Sequence, residues 1–166
     1  MEKYARFRYQ PCKPLGEDGR CVTASLKYIA LSKEAATEGM VLLKNDDAIL
    51  PLKKDANVAV IGEMAKKPRY QGAGSSLINP IKLDSAYETM KEMGIDFSFS
   101  AGYSLKKKNK KYLELIEDAK KNAAAAEVAV VFVGLTDEYE TEGNDRSHID
   151  IPPVHNQLVE EILKVN

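Results

Sequence analysis

The chain has 166 residues, enough for one domain that buries roughly two-thirds of the surface its unfolded form would expose. Hydrophobic residues make up 44% and charged residues 30%, which argues against disorder and against a fibrous repeat. Twenty-four basic and 25 acidic side chains leave a formal charge of -1, so no field draws in DNA, RNA or an anionic membrane, and a neutral or small ligand fits better.

The longest apolar run, Val128 to Leu135, is far short of the roughly 20 residues needed to span a bilayer, so no membrane partner is expected. The start has basic residues but no apolar core segment and no small-residue cleavage site, and a cytoplasmic location is the expectation. Residues 1–24 carry Pro11, Pro14, Gly16 and Gly19 without periodicity and read as an extended lead; residues 25–166 read as the domain. Within that lead Cys12 and Cys21 could form a disulfide or part of a metal site, and free thiols are expected.

Leu26, Ile29, Ala30, Ala36, Met40 and Leu43 recur at the spacing of one helical face, predicting a long helix over Ser25 to Lys44. Leu50-Pro51-Leu52 is too short and too proline-bound for a central strand and reads as a docking segment. Asn57 to Gly62 is a β-branched run without alternation, as in a strand covered on both faces. Beyond the loop from Glu63 to Pro80, Asp84 can cap a helix through Met93, which Gly94 stops before a strand over Ile95 to Ser100.

Asn109 to Ala126 has helical spacing and Val128 to Val133 is the strongest strand. The acidic loop Thr136 to Asp150 follows, and Pro152-Pro153 opens a last helix with Leu158, Val159, Ile162 and Leu163 on one side. The alternation predicts the α/β class: a mostly parallel open sheet flanked by helices, with ligands beyond the carboxyl ends of the strands, where the two loops lie. Three strands are few for such a sheet, so a larger domain is expected.

Thr136 to Arg146 packs five carboxylates and one arginine directly after the strongest strand. Crowded carboxylates raise some pKa values, which is how a glutamate becomes a general acid near neutral pH. The same composition also suits solvated surface with Asp145 and Arg146 pairing locally. The other loop, Arg69 to Ser76, has glycines for close backbone approach; a phosphate cradle is disfavoured because the glycines start about ten residues after the strand and no Gly-Lys-Ser/Thr follows. His148 and His155 are too isolated for a zinc site and read as surface or capping residues; no cofactor or metal is implied.

Ala35 to Asn45 followed by Leu50-Pro51-Leu52 is similar to the entry helix of the second domain of family 3 glycoside hydrolases, of the β-glucosidase kind. The Val58 to Gly62 strand, the Gly72-Ala73-Gly74-Ser75-Ser76 loop, and Glu142-Gly143-Asn144-Asp145-Arg146 leading to Ile151-Pro152 fall in that family's order. The resemblance implies part of an (α/β)6 sandwich that packs beside a (β/α)8 barrel and hydrolyses β-linked glycosides with retention. The barrel, with its nucleophilic aspartate, is absent from these residues, so the chain alone is expected to be inactive. With Met1 so near the sandwich helix, the order resembles members in which the sandwich precedes the barrel.

By its position before Gly-x-Asp-Arg, Glu142 is the expected acid/base, with Glu138 and Glu140 as alternatives because this loop varies in length. Asp145 and Arg146 are expected to shape the loop by an ion pair and backbone bonds. Ser75 and Ser76 either line the cleft or make a tight turn. The rival to a hydrolase domain is a non-catalytic carbohydrate-binding or assembly module of the same fold. A homo-oligomer stays possible, and the preferred sugar is not legible.

Overall fold

The computed structural model describes residues 26–75, 77–80, 82–106, 111–143 and 145–166. The expected lead, Cys12, Cys21 and Ser76 lie outside the described residues. The chain divides into two compact units, Met1–Leu50 and Pro51–Asn166.

In the first unit, helix α1 spans Leu26–Glu38. It stops well before Lys44 because Gly39, a poor helix former, closes the last turn with its N–H on the Ala35 carbonyl at 3.0 Å. Farther on, the Asn45 side chain brackets Leu50: its Nδ2 donates to the Leu50 carbonyl at 3.0 Å and its Oδ1 accepts from the Leu50 N–H at 2.9 Å. This side chain takes the place of a strand partner and accommodates the positive φ of Asp47 and Ala48 (58° and 51°).

The second unit is built on three parallel strands, β1 (Val58–Ile61), β2 (Phe97–Ser100) and β3 (Val128–Val131), in the order β2-β1-β3. All four β1 residues are buried, which is why that run shows no polar alternation. Its side chains serve two cores in turn. Ala59 and Ile61 pack with Ile116, Ala119 and Ala123 of α3 (Tyr112–Ala124) and with Leu158 and Ile162 of α4 (Pro153–Ile162). Val58 and Val60 pack on the opposite face with Tyr87 and Met90 of α2 (Ala86–Glu92), with Phe97, Phe99 and Val130, and with Leu52. Helices on both faces of a parallel sheet make this a doubly wound α/β unit, and Leu52 docks as expected.

Several boundaries shift for local reasons. Ser85, not Asp84, caps α2, its hydroxyl accepting from the Glu88 N–H at 3.2 Å, while Asp84 pairs with Lys82 at 2.8 Å. Ile95 joins the turn closing α2, its N–H on the Met90 carbonyl, so β2 starts at Phe97. At the end of α3 two asparagines bond to the exposed carbonyls: Asn57 reaches Ala125 at 2.8 Å, and Asn166 reaches Ala126 and, beside its backbone bonds, Ala123 at 3.0 Å each. Pro153 begins α4, whose Leu158 and Ile162 are buried whereas Leu163 faces solvent. No helix among the described residues is long and apolar enough to cross a membrane.

His155 departs from the surface reading: it lies in the first turn of α4 with 1% of its surface exposed, its ring 3.9 Å from that of Tyr103. Its Nδ1 accepts from the Gly134 N–H at 3.3 Å, which only the neutral ring with its proton on Nε2 can do. Burial holds His155 below the usual histidine range. The unfolded chain therefore takes up a proton first as pH falls, so stability from this group is full above about pH 6.5 and is lost between there and the lower folded value. His155→Gln, which retains a hydrogen-bonding side chain without the titration, is expected to flatten the acid limb of urea-unfolding midpoints between about pH 5 and 8; an offset between the two proteins that is the same at every pH would contradict the assignment.

Candidate functional site

The two long loops leave the carboxyl ends of adjacent strands, and close backbone contact is what lets them emerge side by side. Gly62, with φ 118°, follows β1; a Cβ there would lie 2.3 Å from the Phe132 carbonyl oxygen. Past this point the chains diverge, so β3 ends at Val131 although Phe132 still donates to the Ile61 carbonyl at 2.8 Å. The buried Tyr103, just beyond β2, ties the three strand ends together: its hydroxyl donates to the Phe132 carbonyl at 2.7 Å and accepts from the Met64 N–H at 3.3 Å. Burial pushes its phenol up to about 12, so it stays a donor throughout the physiological range.

Above this base Arg69 joins the loops. Its side chain is only 18% exposed. Nε donates to the Gln71 carbonyl of its own loop at 3.2 Å, while Nη1 and Nη2 donate to the carbonyls of Thr136 and Glu140 across the gap at 3.2 and 3.0 Å. The guanidinium also lies 3.3 Å from the Glu140 carboxylate and 3.9 Å from that of Asp137. A planar five-donor fork can span three carbonyls and a carboxylate at once; an ammonium cannot. Gln71 braces the far side, bonding through its amide to both the N–H and the carbonyl of Ile78 at 2.8 and 3.0 Å.

Glu142 closes the gap at its outer end. Its Oε2 accepts from the Ser75 N–H at 2.6 Å and its own N–H donates to the Ala73 carbonyl at 3.3 Å. Between these, Gly74 has φ 101°, and a Cβ on it would fall 2.5 Å from the Glu142 Cβ. The glycine is thus required by the approach of the acidic loop rather than by a phosphate. A nucleotide phosphate would also meet the Glu142 carboxylate at the very N–H it needs.

The pKa expectation for the acidic loop is overturned at Glu142. Its value is lowered, first by the Ser75 hydroxyl and then by the Ser75 N–H, and no neighbouring charge contributes. Crowding fails as a cause because Arg69 engages Glu140 and Asp137. Arg146 shapes the loop by a backbone bond, Nη2 to the Asp150 carbonyl at 3.2 Å, and no ion pair to Asp145 is present among the described residues. Asp145 is exposed, and Glu138 lies on the exposed face of the turn that follows Thr136. Exposed His148 lies 3.4 Å from Asp150.

Beside the junction a cleft of about 520 Å³ is lined by Met64, Arg69, Gln71, Gly134, Leu135 and Glu140, among others. Among the described residues, no cluster of three or more His, Cys, Asp or Glu could hold a metal ion. Arg69 and Tyr103 were not among the site residues singled out from the sequence. A signal for Arg69 was present: it is the one arginine in a loop facing five carboxylates.

Residues 40–166 match the model of the glycosyl hydrolase family 3 C-terminal domain. The chain is 51% identical over 138 residues to thermostable beta-glucosidase B of Acetivibrio thermocellus, covering 81% of this chain and 18% of that protein. It is 41% identical over 150 residues to an exo-alpha-(1->6)-L-arabinopyranosidase of Bifidobacterium longum, covering 82% of this chain and 19% of that protein. The crystal structure of a GH3 beta-glucosidase from Bifidobacterium adolescentis superposes with a TM-score of 0.80 at 35% identity, over 99% of this chain and 23% of that one. The chain therefore spans about a fifth of the length of these proteins.

Arg69→Ala is expected to release the acidic loop, so that the amides of Tyr139, Glu140 and Glu142 exchange with deuterium roughly tenfold faster or more, since a hydrogen bond from a charged donor contributes ~1.5 kcal/mol or more. Arg69→Lys should recover little of the protection. Unchanged exchange in both variants would mean that Arg69 does not hold the loop.

Proposed function

The chain belongs to glycosyl hydrolase family 3, as its C-terminal domain, and from that premise we propose that it supplies the general acid/base of a retaining β-glycosidase whose nucleophile stands on a (β/α)8 barrel domain outside this chain. The observation that carries the proposal is the placing of Glu142: a carboxylate fixed by a neutral partner where two loops meet beyond the carboxyl ends of neighbouring parallel strands.

Retention requires two carboxyl groups roughly 5–5.5 Å apart. One attacks the anomeric carbon; the other protonates the departing oxygen and then, as its conjugate base, takes a proton from the water that cleaves the glycosyl-enzyme. Glu142 suits the second role, because its carboxylate is oriented by the Ser75 N–H without being neutralised by a cation. Glu140 suits it less, since its carboxylate is paired with Arg69. Glu138 remains the other alternative. The Ser75 bonds favour the ionised, base form of Glu142; a barrel carboxylate brought to about 5 Å would oppose them and raise the pKa towards that of a working acid.

β-Glucosides are the first substrates to test and α-L-arabinopyranosides the second, following the activities named for the relatives. With the chain joined to a family barrel, Glu142→Gln is expected to lower kcat/KM by roughly 10²–10⁴ for glycosides whose leaving group needs protonation, and much less for a dinitrophenyl glycoside that departs without it. Glu138→Gln and Glu140→Gln should lack this dependence on the leaving group. If the dependence follows one of those two variants instead, the acid/base is reassigned to that residue.

A further inference from the structure

We propose that Gln71 is a positioning residue for Glu142: its side-chain amide closes the glycine turn on Ile78 and so fixes where the Ser75 N–H stands. The bracket is made at both ends of the amide. Oε1 of Gln71 accepts from the Ile78 N–H at 2.8 Å, while Nε2 donates to the Ile78 carbonyl and to the Tyr70 hydroxyl at 3.0 Å each. The Tyr70 hydroxyl in turn donates to that same carbonyl at 3.2 Å. Since a peptide N–H meets only an acceptor and a carbonyl only a donor, the pairing also fixes which end of the amide faces which group. At the root of the turn the Gln71 carbonyl accepts from Arg69 Nε at 3.2 Å. One residue is thus held through its backbone at the loop junction and through its side chain at the far end of the turn.

Apolar packing contributes little to this turn. Leu77 and Ile78 are 63% and 67% exposed, and Gly74 and Ser75 are exposed as well. Gly72 and Gly74 widen the conformations open to the backbone, so a single shape has to be held by hydrogen bonds across the base of the turn. Inside the bracket the Leu77 N–H closes on the Gly74 carbonyl at 3.1 Å, and the Ser75 N–H is left pointing outward to Glu142 Oε2 at 2.6 Å, a short charge-assisted bond. The return bond from the Glu142 N–H goes to the Ala73 carbonyl of the same turn. The carboxylate therefore takes its direction from a peptide group whose own place depends on Gln71.

The catalytic consequence rests on Glu142 being the acid/base, whereas the placing of the Ser75 N–H does not. The first experiment therefore uses the 166-residue chain and follows amide hydrogen exchange residue by residue by NMR. Gln71→Ala should speed exchange at Ile78 and, at a distance, at Ser75 by roughly tenfold or more, with the urea midpoint of the whole chain little changed because the turn is exposed. Gln71→Glu, which keeps the acceptor for the Ile78 N–H but at neutral pH loses the donor, should fall between, and it replaces Gln71→Ala if that variant does not fold. Faster exchange at Ile78 with Ser75 as protected as in the wild type would overturn the proposal, and so would unchanged exchange at both. The second experiment measures kinetics for the chain joined to a family barrel. Where Glu142→Gln shows its dependence on the leaving group, Gln71→Ala should show the same dependence to a smaller extent, and in kcat rather than KM; its absence there would remove the positioning role in catalysis. If neither variant shows the dependence, the acid/base reading of Glu142 fails, and the catalytic role of Gln71 falls with it.

Discussion

The close approach of the Gly62 backbone to the Phe132 carbonyl governs what the loops above it can do. Parallel strands deliver their carboxyl ends to one edge of a sheet, but neighbouring loops there ordinarily diverge at once. Here the absent side chain at Gly62 lets the chain after β1 meet Phe132, and the Tyr103 hydroxyl bonds to both Met64 and Phe132 just past the strand ends. Arg69 then engages carbonyls on both loops, and only beyond it do Ser75 and Glu142 meet. Each level presupposes the one beneath.

This layering separates two tasks among the acidic residues. Glu140 and Asp137 neutralise the arginine that fastens the loops, a use of charge that fixes backbone. Glu142 stands beyond that pairing and is held by the peptide N–H of Ser75, which does not cancel its charge. A carboxylate committed to a guanidinium would be hard to protonate at any useful pH, whereas one held by neutral donors responds to whatever charge is brought near it.

The fold was legible because its signals are periodic and local. The unbroken apolar run at Val58 to Ile61 announced a strand buried on both faces, and Leu158 with Ile162 announced the inner side of the last helix. The order of motifs from the glycine loop to Glu142-Gly143-Asn144-Asp145-Arg146 disclosed the family and pointed to the loop with the carboxylates. What sequence reasoning missed depends on partners far along the chain. Nothing next to His155 tells of Gly134 or the Tyr103 ring, and Asp84 looks as good a cap as Ser85 until Lys82 is seen to hold it. The raised pKa expected from crowding failed for the same reason: charges adjacent in sequence were directed elsewhere in space.

The bond between Ser75 and Glu142 joins residues 67 apart, and that from Arg69 to Glu140 joins residues 71 apart, with two strands and two helices between. Contacts of such separation carry a large loop-closure cost and form only once the intervening segments have condensed. During synthesis the glycine turn emerges long before its carboxylate, and the intervening βα unit must find its place before the two can meet. Assembly of the site is thus a late event that reports completion of the sheet: a chain that has misplaced β3 or its loop would carry every one of these residues and still leave the Glu142 carboxylate unfixed.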